Sequence, residues 1–232
     1  MDTFVLKEKV EEAGDVMTLK FKPVKGEIFT FKAGQFSLFS FLDNRAEGKM
    51  RAYTISSLPG DKFLAISVKK AGIFSSALHK MKIGDKIKIG EARGDFYPKK
   101  GMKNIVFLSA GIGIAPFYCL IKDFYARKSK DKITLFYSSR TKKEIIFFDE
   151  LNKIAKKWPN LKLVYLLTRE QVKDRCISEC CRIDMIILKK YLDDNLKGKY
   201  YFICGPGEFV TDKRRELKEC GVKDECIKIE AF

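Results

Sequence analysis

Residues 50–57, MRAYTISS, put one guanidinium, one phenol and several hydroxyls on a short β-forming run. Arg51, Tyr53, Thr54, Ser56 and Ser57 are costly to bury without partners. The run is therefore either an exposed strand edge or the wall of a site for something flat and anionic. A second kind of chemistry lies in SAGIGIAPF (109–117). Gly111 and Gly113 let backbone N–H groups approach a ligand without a Cβ in the way. Pro116 suits the first turn of a helix, and a helix opening there attracts a pyrophosphate; the plain alternative is a tight turn. CGPGEF (204–209) repeats the theme, with Cys204 ending a strand and Gly205 and Pro206 turning sharply into a helix. Arg140, in SSRTKK, and Arg169, in TRE, follow two other apolar runs. They face either surface carboxylates or the 2′-phosphate of a nucleotide ribose.

Other chemistries find little support. The seven cysteines are odd in number and scattered, against a disulfide framework. There is no C-x-x-C, and His79 is the one histidine, so no metal site is expected. Cys176, Cys180 and Cys181 cluster in CISECC, either as a metal or redox group or as incidental thiols of a loop. The formal charge of +16 fits an anionic cofactor, an acidic protein partner or a lysine-rich background. No nucleic-acid motif accompanies it, so nucleic acid is not an expected partner. No apolar stretch approaches the ~20 residues of a membrane helix, and the charged start MDTFVLKEKVEEAGD lacks a signal-peptide core. A cytoplasmic location is expected.

The elements that must position these residues change rhythm near residue 100. Six runs before it alternate with period 2 between glycine-containing turns, as a small antiparallel barrel does: 3–10, 16–23, 34–42, 50–55, 63–70 and 86–92. A helical patch, SSALHKM (75–81), interrupts them. After YPKKGMK, apolar runs at 104–110, 132–139, 161–168, 199–205 and 226–232 alternate with helical patterns at 115–128, 143–158, 185–195 and 208–220. Continuous apolar strands with intervening amphipathic helices indicate a parallel sheet covered on both faces. The expected fold has two domains, an antiparallel β-barrel over 1–98 and a doubly wound α/β sheet over 99–232.

In this order RAYTISS, VKKAGIFSSALH, GEARGDF, AGIGIAPF, CGPGEF and the terminal EAF resemble the ferredoxin–NADP reductase-like flavoproteins, over nearly the whole chain. The resemblance implies an FAD-binding barrel and an NAD(P)-binding α/β domain, with a lean to NADPH over NADH from the two arginines. It implies Arg51 at the FAD pyrophosphate, Tyr53 against the flavin ring, Thr54 near flavin N5 and Ser57 closing the motif. Backbone at Val68 and Lys69 would meet the flavin, and Gly72, Ser75 and Ser76 would open a pyrophosphate-binding helix, although Ser75 alone reads as a helix cap. His79 is expected to be structural, Gly94 a turn and Phe96 a packing residue. Gly111, Gly113 and Pro116 would hold the pyridine nucleotide, and Cys204 would lie beside the nicotinamide. Gly207 departs from the family's second proline. Glu230 would assist proton movement, and Phe232 would be either a lid over the flavin or the end of a docked strand. The implied activity is electron transfer between NAD(P)H and a ferredoxin or flavodoxin, the acidic partner that the charge suits. Alternatives are a flavin or ferric reductase, or a reductase component or subunit of a larger complex.

Overall fold

A computed structural model describes residues 1–231. The barrel comprises β1 (Asp2–Glu11), β2 (Val16–Pro23), β3 (Phe36–Phe41), β4 (Met50–Thr54), β5 (Leu64–Lys69) and β6 (Lys86–Ile89), with helix α1 (Ile73–Lys80) after β5. The sheet is antiparallel in the order β4-β3-β6-β1-β2-β5, and an Ile55–Ile66 bridge closes it. Phe4 and Leu6 of β1, Leu19 and Phe21 of β2, Phe39 of β3 and Ile66 and Val68 of β5 meet inside, on alternate positions of their strands; β5 is buried on its other side as well.

The second domain is a five-stranded parallel sheet in the order β11-β10-β7-β8-β9. Its strands are β7 (Ile105–Ala110), β8 (Ile133–Ser139), β9 (Leu161–Leu167), β10 (Tyr200–Gly205) and β11 (Ile227–Ala231). Both faces are covered, which explains the unbroken apolar runs. Phe107, Leu135, Tyr137, Tyr165 and Phe202 pack on one face with α2 (Ile114–Ala126) and α3 (Phe148–Lys157). Val106, Leu108, Phe136, Val164 and Ile203 pack on the other with α4 (Met185–Tyr191) and α5 (Gly207–Glu219). The 3-2-1-4-5 order, counted within this domain, changes direction between β7 and β10, where such sheets bind ligands. Among the described residues no helix is long and apolar enough to cross a membrane.

Two expected helices differ. The 143–158 pattern splits into a short 3₁₀ turn at Lys142–Glu144 and α3, with Ile145, Ile146 and Phe147 buried between them. Phe147 takes a left-handed backbone (φ 59°), and its ring stacks on Tyr118 at 3.8 Å, a contact that compensates for that conformation. The 185–195 helix ends at Tyr191, because Asp193 and Asp194 adopt positive φ.

The domains share a core. Val16, Ala33 and Phe96 belong to the same buried cluster as Phe107, Phe117 and Phe202 of the second domain. The Phe96 ring lies 5.7 Å from Phe117 and 5.5 Å from Phe202. The buried Cys119 thiol of α2 donates to the Ser57 carbonyl at 3.0 Å. Lys228 pairs with Asp95 at 2.9 Å across the same junction.

Candidate active site

Between the domains lies a cleft of about 920 Å³, whose walls come from β4, β5, the start of α1, residues 94–96, the start of α2 and the ends of β10 and β11. Arg51, Tyr53, Thr54, Val68, Lys69, Gly72, Ser75, Pro116, Cys204 and Glu230 all line it. Four cations are among its walls. Lys49 pairs with Glu47, Lys69 with Asp15 and Lys228 with Asp95. Arg51 has no carboxylate partner among the described residues; its guanidinium donates only to the Met50 carbonyl, at 2.9 Å. That leaves a phosphate-shaped donor set facing the cleft.

The start of α1 supplies a second anion-binding feature. The Ser75 hydroxyl accepts from the Ala71 and Gly72 N–H groups, both at 2.9 Å, and donates to the Gly72 carbonyl at 3.0 Å. Ser75 is thus spent on fixing the turn, and Ser76 N–H is bonded to the Gly72 carbonyl. The N–H groups of Ile73, Phe74 and Ser75 have no partner within the helix. No acid stands in the first turn to oppose an anion. Ser76 is not a wall of the cleft.

Tyr53 stands edge-on to Phe39 at 5.7 Å and tilted against Phe74 at 6.0 Å. Burial pushes its phenol up to about 12, so it presents a neutral ring. On the opposite side of β4, Thr54 donates to Glu230 Oε1 at 2.8 Å, joining residues 176 apart in sequence. Burial raises the Glu230 carboxyl above its ordinary value, and the Thr54 hydrogen bond offsets part of that. Cys204 is in register with Glu230 on the neighbouring strand and with Ser109 on β7. Its thiol is raised far above the ordinary thiol range by burial and then by Glu230, so it is no nucleophile at neutral pH.

The glycine turns are explained by contact. A Cβ on Gly113 would stand 2.3 Å from the Cys204 carbonyl oxygen, and one on Gly205 would stand 2.8 Å from Phe209. Gly113 therefore lets the two turns pack on each other; the freedom to bend away from L-residue conformations belongs to Gly111, at φ +57°. Pro206 caps α5 and is exposed. The Ser109 and Ser139 hydroxyls, at the ends of β7 and β8, are buried without a partner among the described residues. Sequence reading did not single them out, nor Asp95, Ile112 and Ile229 of the cleft walls.

Several expected site residues stand elsewhere. Ser57 lies past the strand closure, 5% exposed, with its hydroxyl accepting Ala65 N–H at 3.0 Å; it shapes the turn rather than the cleft. Arg140 and Arg169 follow β8 and β9 outside the cleft walls. Arg140 holds Glu144 at 2.8 Å, while the Arg169 side chain has no acid partner among the described residues. The Arg169 N–H donates to the Arg140 carbonyl at 2.9 Å, tying the two loops together. Phe232 lies outside the described residues. Among the described residues no group of His, Cys, Asp and Glu could hold a metal, CISECC included. His79 Nε2–H donates to the Val68 carbonyl at 2.8 Å, joining α1 to the cleft wall.

An apolar cleft with an unpartnered guanidinium, three open helix N–H groups and a tyrosine face fits a planar cofactor carrying phosphates. Comparison with known proteins agrees. Residues 3–97 match the oxidoreductase FAD-binding domain and residues 107–215 the oxidoreductase NAD-binding domain. The chain is 29% identical over 248 residues to Flavohemoprotein A of Dictyostelium discoideum, covering 99% of this chain and 59% of that protein. It is 28% identical over 213 residues to one of the subunits of the Na⁺-translocating NADH-quinone reductase of Klebsiella pneumoniae, covering 85% of this chain and 52% of that protein. The chain thus spans little more than half the length of these curated relatives. A ferredoxin NADP⁺ reductase from Neisseria gonorrhoeae, solved with FAD and NADP, superposes with a TM-score of 0.83 at 25% identity, covering 99% of this chain and 97% of that one.

Proposed function

Because the chain belongs to the ferredoxin–NADP reductase-like FAD- and NAD(P)-binding oxidoreductases, we propose that it passes electrons between NAD(P)H and a one-electron carrier with an acidic surface, such as a ferredoxin or flavodoxin. The observation that carries this reading is a cleft of about 920 Å³ walled by both domains, with Arg51 on one wall and Cys204 beside Glu230 on another. When bound, FAD supplies hydride acceptance and one-electron release. The residues of this chain bind, orient and manage protons around that chemistry.

Arg51 and the N–H groups of Ile73, Phe74 and Ser75 bind phosphate oxygens. Tyr53 offers a neutral face to a flat ring, and Val68 forms an apolar floor. Thr54 and Glu230 hold a proton at the cleft wall; burial keeps it on Glu230 above the usual carboxylate range. The neutral Cys204 thiol orients a ring by contact. Gly111, Gly113 and Pro116 shape the start of α2 as a phosphate site on the nucleotide side. Arg169 and Arg140, the latter by releasing Glu144, would receive a 2′-phosphate.

The charge of +16 supports an acidic protein partner, since complementary charge speeds encounter. A second reading has one observation in its favour. The relatives are nearly twice as long, one named a flavohemoprotein and one a subunit. This chain would then be the reductase component of a larger system. Turnover with each nucleotide, using a neutral quinone and an acidic ferredoxin or flavodoxin, tests both. The first reading expects turnover with the acidic protein to fall steeply from about 20 to about 300 mM salt. Turnover confined to the quinone would favour the second, and no turnover with any acceptor would refute the function.

A further inference from the structure

The bond pattern of β1 places one lysine where the alternation of the strand forbids it. Leu6 pairs with Phe21, but Glu8 pairs with Lys20, so Lys7 is an extra residue in the ladder. Such a bulge reverses which residues face inward. Without it Glu8 would follow Phe4 and Leu6 into the barrel. With it Lys9 stands opposite the fully buried Leu19 and shares its face. Lys9 has no carboxylate partner among the described residues. Its ammonium donates to the His79 carbonyl at 2.8 Å and the Met81 carbonyl at 2.9 Å, at the C-terminal end of α1.

We infer that Lys9 is a positioning residue for the phosphates of the flavin cofactor, acting through α1. The helix has eight residues, about 12 Å from end to end. Its negative end meets a half-buried cation, and its positive end opens on the cleft that Arg51, which has no acid partner among the described residues, also lines. A cation at the C-terminal carbonyls fixes the helix and leaves the field at its N-terminus unopposed. The His79 bond to the Val68 carbonyl sets the rotation of the same helix against β5. The inference rests on the proposal that the phosphates bind at the start of α1, and the bulge at Lys7 is what makes the arrangement possible.

The test compares FAD with riboflavin, which lacks phosphate, by flavin fluorescence on the apoprotein. Lys9→Met keeps the apolar stem and removes the charge. It should weaken FAD about tenfold while riboflavin affinity changes less than about twofold. Lys9→Arg should keep FAD within about threefold of the parent, and both variants should melt cooperatively. Equal loss for both flavins would mean that Lys9 merely stabilises the barrel and would overturn the inference, as would an unchanged FAD affinity in a folded Lys9→Met protein. A parent protein that binds FAD no better than riboflavin would instead overturn the phosphate site itself.

Discussion

Phe96→Ala removes the side chain that most directly joins the two walls of the cleft. Phe96 is 5% exposed and follows the Gly94 turn, whose φ is +94° and whose Cβ would stand 3.0 Å from Phe36. Its ring meets Phe117 and Phe202, both in the second domain. Truncating a buried Phe costs about 3–5 kcal/mol through lost transfer energy and the cavity left behind. Because the contacts lie across the junction, most of that loss falls on the docking of the domains rather than on either sheet. Trp158, the one tryptophan, is buried in the second domain and reports its unfolding; flavin fluorescence reports the barrel. In urea the parent protein should show both signals changing together, as one shared core requires. In Phe96→Ala the two midpoints should separate, with flavin released at lower denaturant. Phe96→Leu, which fills part of the space, should cost about half as much. Coincident midpoints in Phe96→Ala, with a loss below about 1 kcal/mol, would refute the argument that this aromatic seam holds the cleft together.

Three other outcomes follow from the site. Gly113→Ala should weaken NAD(P)H binding about tenfold or more and leave FAD bound, because the new methyl would stand against the Cys204 carbonyl; titration of the flavin-loaded protein with nucleotide checks this. Glu230→Gln should gain stability on the parent as pH rises from about 4 to about 8. The native state keeps the Glu230 proton above the ordinary value of 4.5 while the unfolded chain releases it, so this group's contribution is intact at low pH and is lost as pH rises through its raised value. Melting midpoints across that range measure the difference, and parallel curves would contradict it. Iodoacetamide at about pH 8 should label the exposed Cys176 and leave Cys204 and Cys119 intact in the folded protein, since burial raises both thiols, Cys119 to about 12. Mass spectrometry of the peptides reads this directly.

Much of the architecture was written in periodicity. Strands such as β3 and β6 alternate because one face of a barrel is wet, β5 is buried on both faces, and β7 to β10 read as apolar runs because helices cover both faces. The misread stretch was KEIIFFDE, where four apolar residues in a row satisfy a helix, a strand or a buried turn equally. Stacking of Phe147 on Tyr118 decided it, and that contact spans two elements. The motif residues Arg51, Tyr53 and Thr54 were legible as a group, but Ser57 was carried past the point where the barrel closes and became part of a turn. The pairing of Thr54 with Glu230 depends on β11 lying beside β10, which no local pattern encodes. The packing of Gly113 against the Cys204 carbonyl of the other turn joins distant segments and has no local signal in the sequence. Lys9 was invisible, because a single-residue bulge reverses the alternation from which inward positions are inferred.

The most direct measurement is an anaerobic titration of the FAD-loaded protein with NADH and, separately, NADPH, followed through the visible absorbance of the flavin. Loss of the yellow colour with at least one nucleotide is the predicted result, since both cofactors must share the cleft between the barrel and the parallel sheet. A preparation that takes up no FAD, or one that stays fully oxidised with both nucleotides, would contradict the account.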